Sequence, residues 1–384
     1  MKRKKIIHII NDLNIGGAEM MLYKLLSSSD KKVFEHIVVS ILGGGELLND
    51  IRALGIEVHS AGGMNLLALM KIYRIVRGLE PDIVQGWMYY GNLTAQLVSF
   101  LLPRHTPILW NIRHSLSCIK NEKPLTMLAI SVCGVMSRFP DKMINNSRVS
   151  ALQHSSRYKY CEDKWEVIPN GFDYEIFAPS EDARYTLRDS LGIASDTILI
   201  GMIARFHPQK DHANFLKAAA ILRHRHPLVH FLLAGHLVTD ENPLLRNLKN
   251  SLGLGDCVHF LGERTDMPRI MASLDVAVLS SSFGEGFSNA VGEAMSCGVP
   301  CVVTDISDLA SIVDNTGMVV PPENPQLLAE SIETLLELGS TGLRELGIRA
   351  RQRIIEHFSL DVITKRYEAV YLDVLEKNIA RQGR

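Results

Sequence analysis

Glu285-Gly286-Phe287-Ser288-Asn289-Ala290-Val291-Gly292-Glu293, followed by Ala294, Met295 and then Gly298-Val299-Pro300, carries the densest structural signal in the 384-residue chain. Ser288 is a helix N-cap residue type, and Gly298 is the residue type that closes a helix. The apolar run at 276–280 just before it reads as a buried strand. Strand, glycine-bearing loop and helix in that order make half of a parallel βα unit. The helix would turn its positive end toward the loop that carries Glu285, so an anion is expected there. If helical rise ran through all eight steps from Glu285 to Glu293, the two carboxylates would stand ~12 Å apart and reach opposite ends of an extended ligand.

Outward from this unit the same alternation repeats. Strands are predicted at 198–204, 230–234, 258–261, 301–304 and 318–320 around it, and at 6–11, 36–42, 57–60, 83–85, 108–112, 142–145 and 166–168 in the first half. Helical patterns such as 18–28, 66–78 and 90–102 fill the gaps. Continuous apolar strands imply burial on both faces, and the alternation implies α/β architecture with doubly wound parallel sheets, twice over. Turn and breaker signals at Pro169-Asn170-Gly171, with Pro179 beyond, place a hinge there. The expected domains are 1–170, 171–358 and a terminal helix, 359–384, that crosses back to the first. Two such sheets facing each other would hold a ligand in the cleft between them, at the carboxyl ends of their strands.

The composition, 46% hydrophobic and 22% charged, is that of a globular protein. Net charge is −1, yet residues 1–170 hold 21 Lys and Arg against 14 Asp and Glu, a net of +7 that leaves −8 for the remainder. An anionic lipid surface or acceptor would be drawn to the first half. The six cysteines, Cys118, Cys133, Cys161, Cys257, Cys297 and Cys301, form no CxxC pair, which indicates neither zinc nor a disulfide framework and suits a reducing cytoplasm. The N-terminal Lys2-Arg3-Lys4-Lys5 leads straight into a strand, without the apolar core of a signal peptide. The longest apolar run, 125–136, falls short of a bilayer span; it could lie on a membrane surface, and a buried core helix is the preferred reading of the two.

Three further segments carry chemistry. Ala204-Arg205-Phe206-His207-Pro208-Gln209-Lys210-Asp211 leaves a strand end, and its two cations suit a departing diphosphate. Ile15-Gly16-Gly17-Ala18-Glu19 opens a helix after the first strand, where bare backbone can approach a phosphate. His114, in Trp110-Asn111-Ile112-Arg113-His114-Ser115, follows another strand, and Arg113 and Ser115 beside it strengthen a site reading.

Together these motifs resemble the retaining family-4 glycosyltransferases, whose GT-B fold faces two Rossmann-like domains across a cleft. The resemblance covers the whole chain, with its most specific motifs in residues 201–305. It implies that Glu285 holds hydroxyls of the transferred sugar and Glu293 the ribose, that the backbone at Gly286, Phe287, Ser288 and Asn289 cradles the diphosphate, and that Arg205 and Lys210 neutralise it. It also implies that His114 contacts the sugar, that Gly16 and Gly17 meet the diphosphate, and that Gly235, Leu261 and Arg264 line the nucleotide side. Phe172 stands in the family's usual aliphatic slot. No Asp-x-Asp motif precedes the Glu-x7-Glu segment, so a metal-independent enzyme without cofactor is expected, with a UDP-sugar as donor substrate. The 110–115 segment and Gln85-Gly86-Trp87-Met88-Tyr89 resemble bacterial enzymes of O-antigen, capsule or exopolysaccharide assembly, which implies a saccharide or lipid-linked acceptor at the cytoplasmic face of the inner membrane. Two alternatives stand beside this: a non-catalytic sugar-nucleotide-binding subunit, or an epimerase or phosphorylase of the same fold.

Overall fold

A computed structural model describes residues 2–117 and 123–382; Cys118 lies outside the described residues. The chain divides into two compact units, Met1–Gly171 with Leu360–Arg384, and Phe172–Ser359.

In the first unit the order is β1 (Lys4–Ile10), α1 (Gly17–Ser28), β2 (Phe34–Ser40), α2 (Leu48–Ala53), β3 (Glu57–Ser60), α3 (Leu66–Leu79), β4 (Ile83–Trp87), α4 (Met88–Ser99), β5 (Ile108–Ile112), α5 (Pro124–Met136), β6 (Lys142–Asn145), α6 (Arg148–Tyr158) and β7 (Trp165–Val167). All seven strands are parallel, in the order β3-β2-β1-β4-β5-β6-β7. The order reverses between β1 and β4, the crevice where sheets of this kind receive ligands. The central strands β4 and β5 are buried throughout, whereas the edge strand β3 is not. One face of the sheet packs Ile6, Ile10, Leu22 and Leu25, and the other Ile7, Ile9, Ile72 and Ala95.

The second unit runs α7 (Glu181–Ser190), β8 (Leu199–Ile203), α8 (His212–Arg225), β9 (His230–Ala234), α9 (Pro243–Ser251), β10 (Val258–Phe260), α10 (Met267–Ala272), β11 (Val276–Leu279), α11 (Asn289–Ser296), β12 (Cys301–Thr304), α12 (Leu309–Val313), β13 (Gly317–Val320), α13 (Pro325–Leu336) and α14 (Gly339–His357). Its six parallel strands follow β10-β9-β8-β11-β12-β13, with the reversal between β8 and β11. The final helix, α15 (Leu360–Gln382), returns to the first unit, where Tyr367 and Tyr371 are fully buried and Tyr371 Oη donates to Gln85 Oε1 at 2.5 Å.

Two expectations fail locally. Helix α4 begins at Met88 rather than Tyr90, because Met88 adopts φ 58° and turns the chain from β4 directly into it. Helix α5 is not a core helix. Only one face is buried, at Ala129, Ile130, Cys133 and Gly134, and a Cβ on Gly134 would lie 2.1 Å from the Tyr158 carbonyl oxygen. With Gly134 held against α6, the opposite face turns outward, leaving Leu125 71%, Leu128 60% and Val135 64% exposed.

Candidate functional site

The chemistry-bearing residues of the second unit gather at the β8/β11 reversal. The loop after β8 carries Arg205 and ends in a short 3-10 turn, Pro208–Lys210, held by His207, whose Nδ1 accepts from the Gln209 amide at 3.2 Å. Asp211, at φ 47°, then caps α8 by accepting from the Asn214 amide at 3.1 Å. The loop after β11 is stitched to it. The Ser282 amide donates to Gln209 O at 2.9 Å, and Ser280 Oγ donates to the carbonyls of Lys210 and Asp211 at 3.0 Å each.

At this seam Lys210 Nζ lies 2.5 Å from Glu285 Oε1. The same oxygen accepts from Ser281 Oγ at 2.6 Å and Gln209 Nε2 at 3.3 Å, and Glu285 is only 5% exposed. A buried carboxylate of this kind is stable only when paired and hydrogen-bonded, as it is here. Arg205 is exposed and, among the described residues, has no hydrogen bond or ion pair. Burial and the charges of Arg205 and Lys210 push the His207 imidazole below its usual range, so the loop is a local concentration of positive charge in a unit whose sequence is net acidic.

Glu285 is not part of the helix that follows. Helix α11 starts at Asn289, so half of the stretch between the two glutamates is loop, and the 12 Å expectation from continuous helical rise does not apply. Ser288 occupies the N-cap position with extended backbone, but its side chain makes no capping hydrogen bond. Gly298 follows the C-cap at φ 73°, the left-handed stop expected of it. Gly286 is anchored through its carbonyl, which accepts from Ser307 Oγ at 3.1 Å. The Phe287 ring faces inward, stacked on Phe172 at 6.0 Å and tilted on Phe358 at 5.6 Å. This packing explains the aromatic residue at 172: a Cβ on Gly292 would lie 2.1 Å from the Phe172 ring, so the large residue fits because position 292 has no side chain. Glu293 is half-buried on α11; burial, aided by its charge, pushes the Cys297 thiol up to about 12.

Gly235, Leu261 and Arg205 lie on adjoining strand ends. The Gly235 amide donates to Gly262 O at 2.7 Å and the Leu261 amide to Leu233 O at 2.9 Å. Gly235 adopts φ 149°, and a Cβ there would meet Ala204 O at 2.3 Å and the Arg205 amide nitrogen at 2.8 Å, so only glycine lets these two loops touch. Arg264 is exposed and forks Asp266, with Nε–Oδ1 and Nη2–Oδ2 both 2.8 Å, so its guanidinium is already engaged by a carboxylate of its own loop.

In the first unit, Gly16 is the extended N-cap of α1 and Gly17 its first residue; neither uses a left-handed conformation. The Glu19 carboxylate folds back over them, 2.4 Å from where a Gly16 Cβ would sit, and burial raises its pKa. His114 follows β5 and is half-buried, with Nδ1 3.0 Å from Tyr89 Oη. Its neighbours are bonded within the first unit. Arg113 bonds Tyr367 Oη at 2.8 Å and also Asn170 Oδ1, and Ser115 bonds Ser117 at 2.8 Å and Gln153 at 3.2 Å. Sequence reasoning missed Gln209 and Ser281 as partners of Glu285. Both stand within or beside motifs it quoted, but nothing in spacing shows which hydroxyl or amide meets the carboxylate.

No described helix is long and apolar enough to cross a membrane. Among the described residues, no cluster of three or more His, Cys, Asp and Glu is placed to hold a metal ion.

Comparison with known proteins agrees with this geometry. The model of the Glycosyltransferase Family 4 matches residues 15–176, and that of the Glycosyl transferases group 1 matches residues 197–338. EpsF of Bacillus subtilis (strain 168), described as a glycosyltransferase, is 26% identical over 92% of this chain and 94% of its own. The UDP-Gal:alpha-D-GlcNAc-diphosphoundecaprenol alpha-1,3-galactosyltransferase of Escherichia coli is 28% identical over 55% of each chain, so this chain spans about half of that relative. The crystal structure of Anabaena Alr3699/HepE in complex with UDP shares the fold, with a TM-score of 0.83 at 23% identity over 96% of this chain and 100% of that one. With two parallel-sheet Rossmann-like units of the GT-B type and matches to a family model in each, the chain belongs to the group 1, family 4 glycosyltransferases.

Proposed function

We propose that the chain is a retaining enzyme that moves a sugar from a UDP-sugar to a saccharide or lipid-linked saccharide acceptor in the assembly of a bacterial surface polysaccharide. The observation that carries this reading is the meeting of Lys210 and Glu285 across the β8/β11 reversal. A cation and a carboxylate converge where such sheets bind phosphate ligands, close to the N-terminus of α11. Two relatives' names support the substrate class: the E. coli transferase uses UDP-Gal and a diphosphoundecaprenol-linked sugar, and Alr3699/HepE binds UDP.

In this reading Lys210 and Arg205, with the amides around Ser288, stabilise the departing diphosphate in place of a metal ion. Gly16, Gly17, Gly286, Phe287 and Asn289 offer backbone to the phosphates, Glu293 holds the ribose, and Gly235, Leu261 and Arg264 border the nucleotide. Glu285 and His114 hold hydroxyls of the sugar. When donor enters, a phosphate oxygen replaces the carboxylate as partner of Lys210 Nζ, and Glu285 keeps Ser281 and Gln209 while turning to the sugar. The acceptor oxygen bonds the anomeric carbon on the face from which the carbon–oxygen bond to diphosphate breaks. The hydroxyl proton passes to the departing phosphate oxygen, so no protein base is required.

Peripheral binding at the cytoplasmic face of the inner membrane belongs to the same proposal. It is supported by the outward apolar face of α5 and by the Phe100 and Phe139 rings, packed edge to face at 5.1 Å, with Arg138 stacked over Phe139. Apolar side chains with a basic rim suit an anionic interface.

The test is calorimetric titration with a panel of nucleotide-sugars, followed by determination of the product's anomeric configuration. Retention together with a large loss of turnover in Glu285→Gln supports the proposal; an inverted anomer, or unchanged turnover in that variant, refutes it.

A further inference from the structure

Among the described residues, every hydrogen bond to the Glu285 carboxylate falls on one of its two oxygens. Oε1 accepts from Lys210 Nζ at 2.5 Å, from Ser281 Oγ at 2.6 Å and from Gln209 Nε2 at 3.3 Å. Oε2 has no hydrogen bond or ion pair among the described residues, and it is not closed off from solvent. An ionised carboxylate offers about four lone-pair sites, two on each oxygen, so three donors fill Oε1 and a further hydrogen is left to Oε2. The three donors are not equivalent. Lys210 is the one that a phosphate claims on the reading above, and the Gln209 bond is long for an N–H donor. The Ser281 bond is short and takes the hydroxyl's one hydrogen. Ser281 is fully buried two residues beyond β11, and its own carbonyl accepts from Oγ1 of the fully buried Thr304, on β12, at 2.7 Å. The anchor of Glu285 is thus rooted in the neighbouring strand of the sheet.

We infer that Ser281, held in turn by Thr304, is a positioning residue that keeps Oε1 of Glu285 for the protein and aims Oε2 at the donor sugar, so that the glutamate meets a sugar hydroxyl through one fixed oxygen. The division of the two oxygens follows from the geometry of the second unit alone; the sugar contact rests on the role proposed above for Glu285. The terminal torsion of a glutamate is broad and roughly two-fold, so a carboxylate with neither oxygen pinned would sample many orientations. Once a phosphate draws Lys210 away, Ser281 is the short bond that remains, and it holds the acceptor in place before the sugar arrives. Discrimination between donors then depends on a hydroxyl that reaches this oxygen, because a sugar without one leaves a buried carboxylate short of a partner.

The experiment is calorimetric titration of the full chain and its variants with UDP, UDP-glucose, UDP-galactose and UDP-N-acetylglucosamine as probes. For each UDP-sugar, the ratio of its affinity to that of UDP isolates what the sugar contributes, and a general loosening of the fold does not move that ratio. Ser281→Ala is expected to lower it roughly tenfold, the worth of a hydrogen bond to a charged group, with UDP affinity unchanged. Thr304→Val should lower it in the same direction, and Thr304→Ser, which keeps the hydroxyl, should not. Equal loss of UDP and UDP-sugar affinity in Ser281→Ala overturns the positioning role. So does a ratio that Ser281→Ala leaves unchanged while Glu285→Gln lowers it, an outcome that leaves the sugar contact of Glu285 standing. A ratio that Glu285→Gln leaves unchanged with all three UDP-sugars overturns that contact itself, and the inference with it.

Discussion

Lys210 Nζ sits 2.5 Å from Glu285 Oε1, with the lysine side chain 16% and the glutamate side chain 7% exposed, so each charge is the main neutraliser of the other. Removing one partner leaves the other buried and uncompensated, at a cost of roughly 3–5 kcal/mol, whereas removing both is far milder. Lys210→Met and Glu285→Gln should each lower the denaturant midpoint, and the double variant should recover most of it. Activity should not follow: Lys210→Met is expected to lose roughly 10²–10³-fold in turnover, and the double variant no less. Recovery of turnover together with stability would show the pair to be purely structural.

Gly292 faces the Phe172 ring, and a Cβ there would lie 2.1 Å from it. Gly292→Ala overpacks the contact and should destabilise by about 1–3 kcal/mol. Adding Phe172→Leu, a smaller side chain at the same spot, should restore much of the loss. Thermal melting of the two single variants and the pair measures the coupling; additive effects would argue against the steric account.

Acid should destabilise the fold. His36, His154 and His212 are each pushed down to about 4, chiefly by burial. In the unfolded chain they titrate near 6.5, so between that pH and about 4 the unfolded state binds more protons and stability falls as pH drops. Each can contribute roughly 3 kcal/mol at most, and the contribution is fully present above about pH 6.5. In His212→Leu the unfolding free energy should decline less steeply between those limits; an unchanged slope would remove His212 from the account.

The exposed apolar face of α5 should bind anionic vesicles. Leu125→Ser with Val135→Ser is expected to weaken co-sedimentation with vesicles containing phosphatidylglycerol while leaving the melting temperature nearly unchanged, since both side chains are already in solvent. Raised salt should weaken binding further through the basic rim. Equal sedimentation of the variant would exclude this face.

Strands were legible in the sequence because parallel strands are rich in consecutive apolar residues: β5, β9 and β12 lie where their composition indicates. Helix α5 was misread for a related reason. Hydrophobicity reports what is apolar, whereas the face buried here is the one on which Gly134 can meet the Tyr158 carbonyl of α6, a property of the partner helix. The Glu285 and Lys210 motifs stood out through residue type and position after a strand, yet their direct pairing did not, since they are 75 residues apart and joined only by the sheet's strand order. Arg113 is the converse. Beside His114 it strengthened a site reading of that histidine, while its own guanidinium holds Asn170 and Tyr367, groups distant in sequence.

The chain enters the second unit at Phe172 and leaves it after Ser359, and these two positions form a parallel bridge in which the Phe172 amide donates to Phe358 O at 2.9 Å. Phe287, in the glutamate loop, rests on both rings. Both covalent crossings and that loop are thus geared to one aromatic stack. A change in any of the three rings reaches the Glu285 segment through ring packing alone. On the reading proposed above, substitutions at Phe172 or Phe358 are expected to alter donor affinity, and a screen confined to ligand-touching side chains would pass over both.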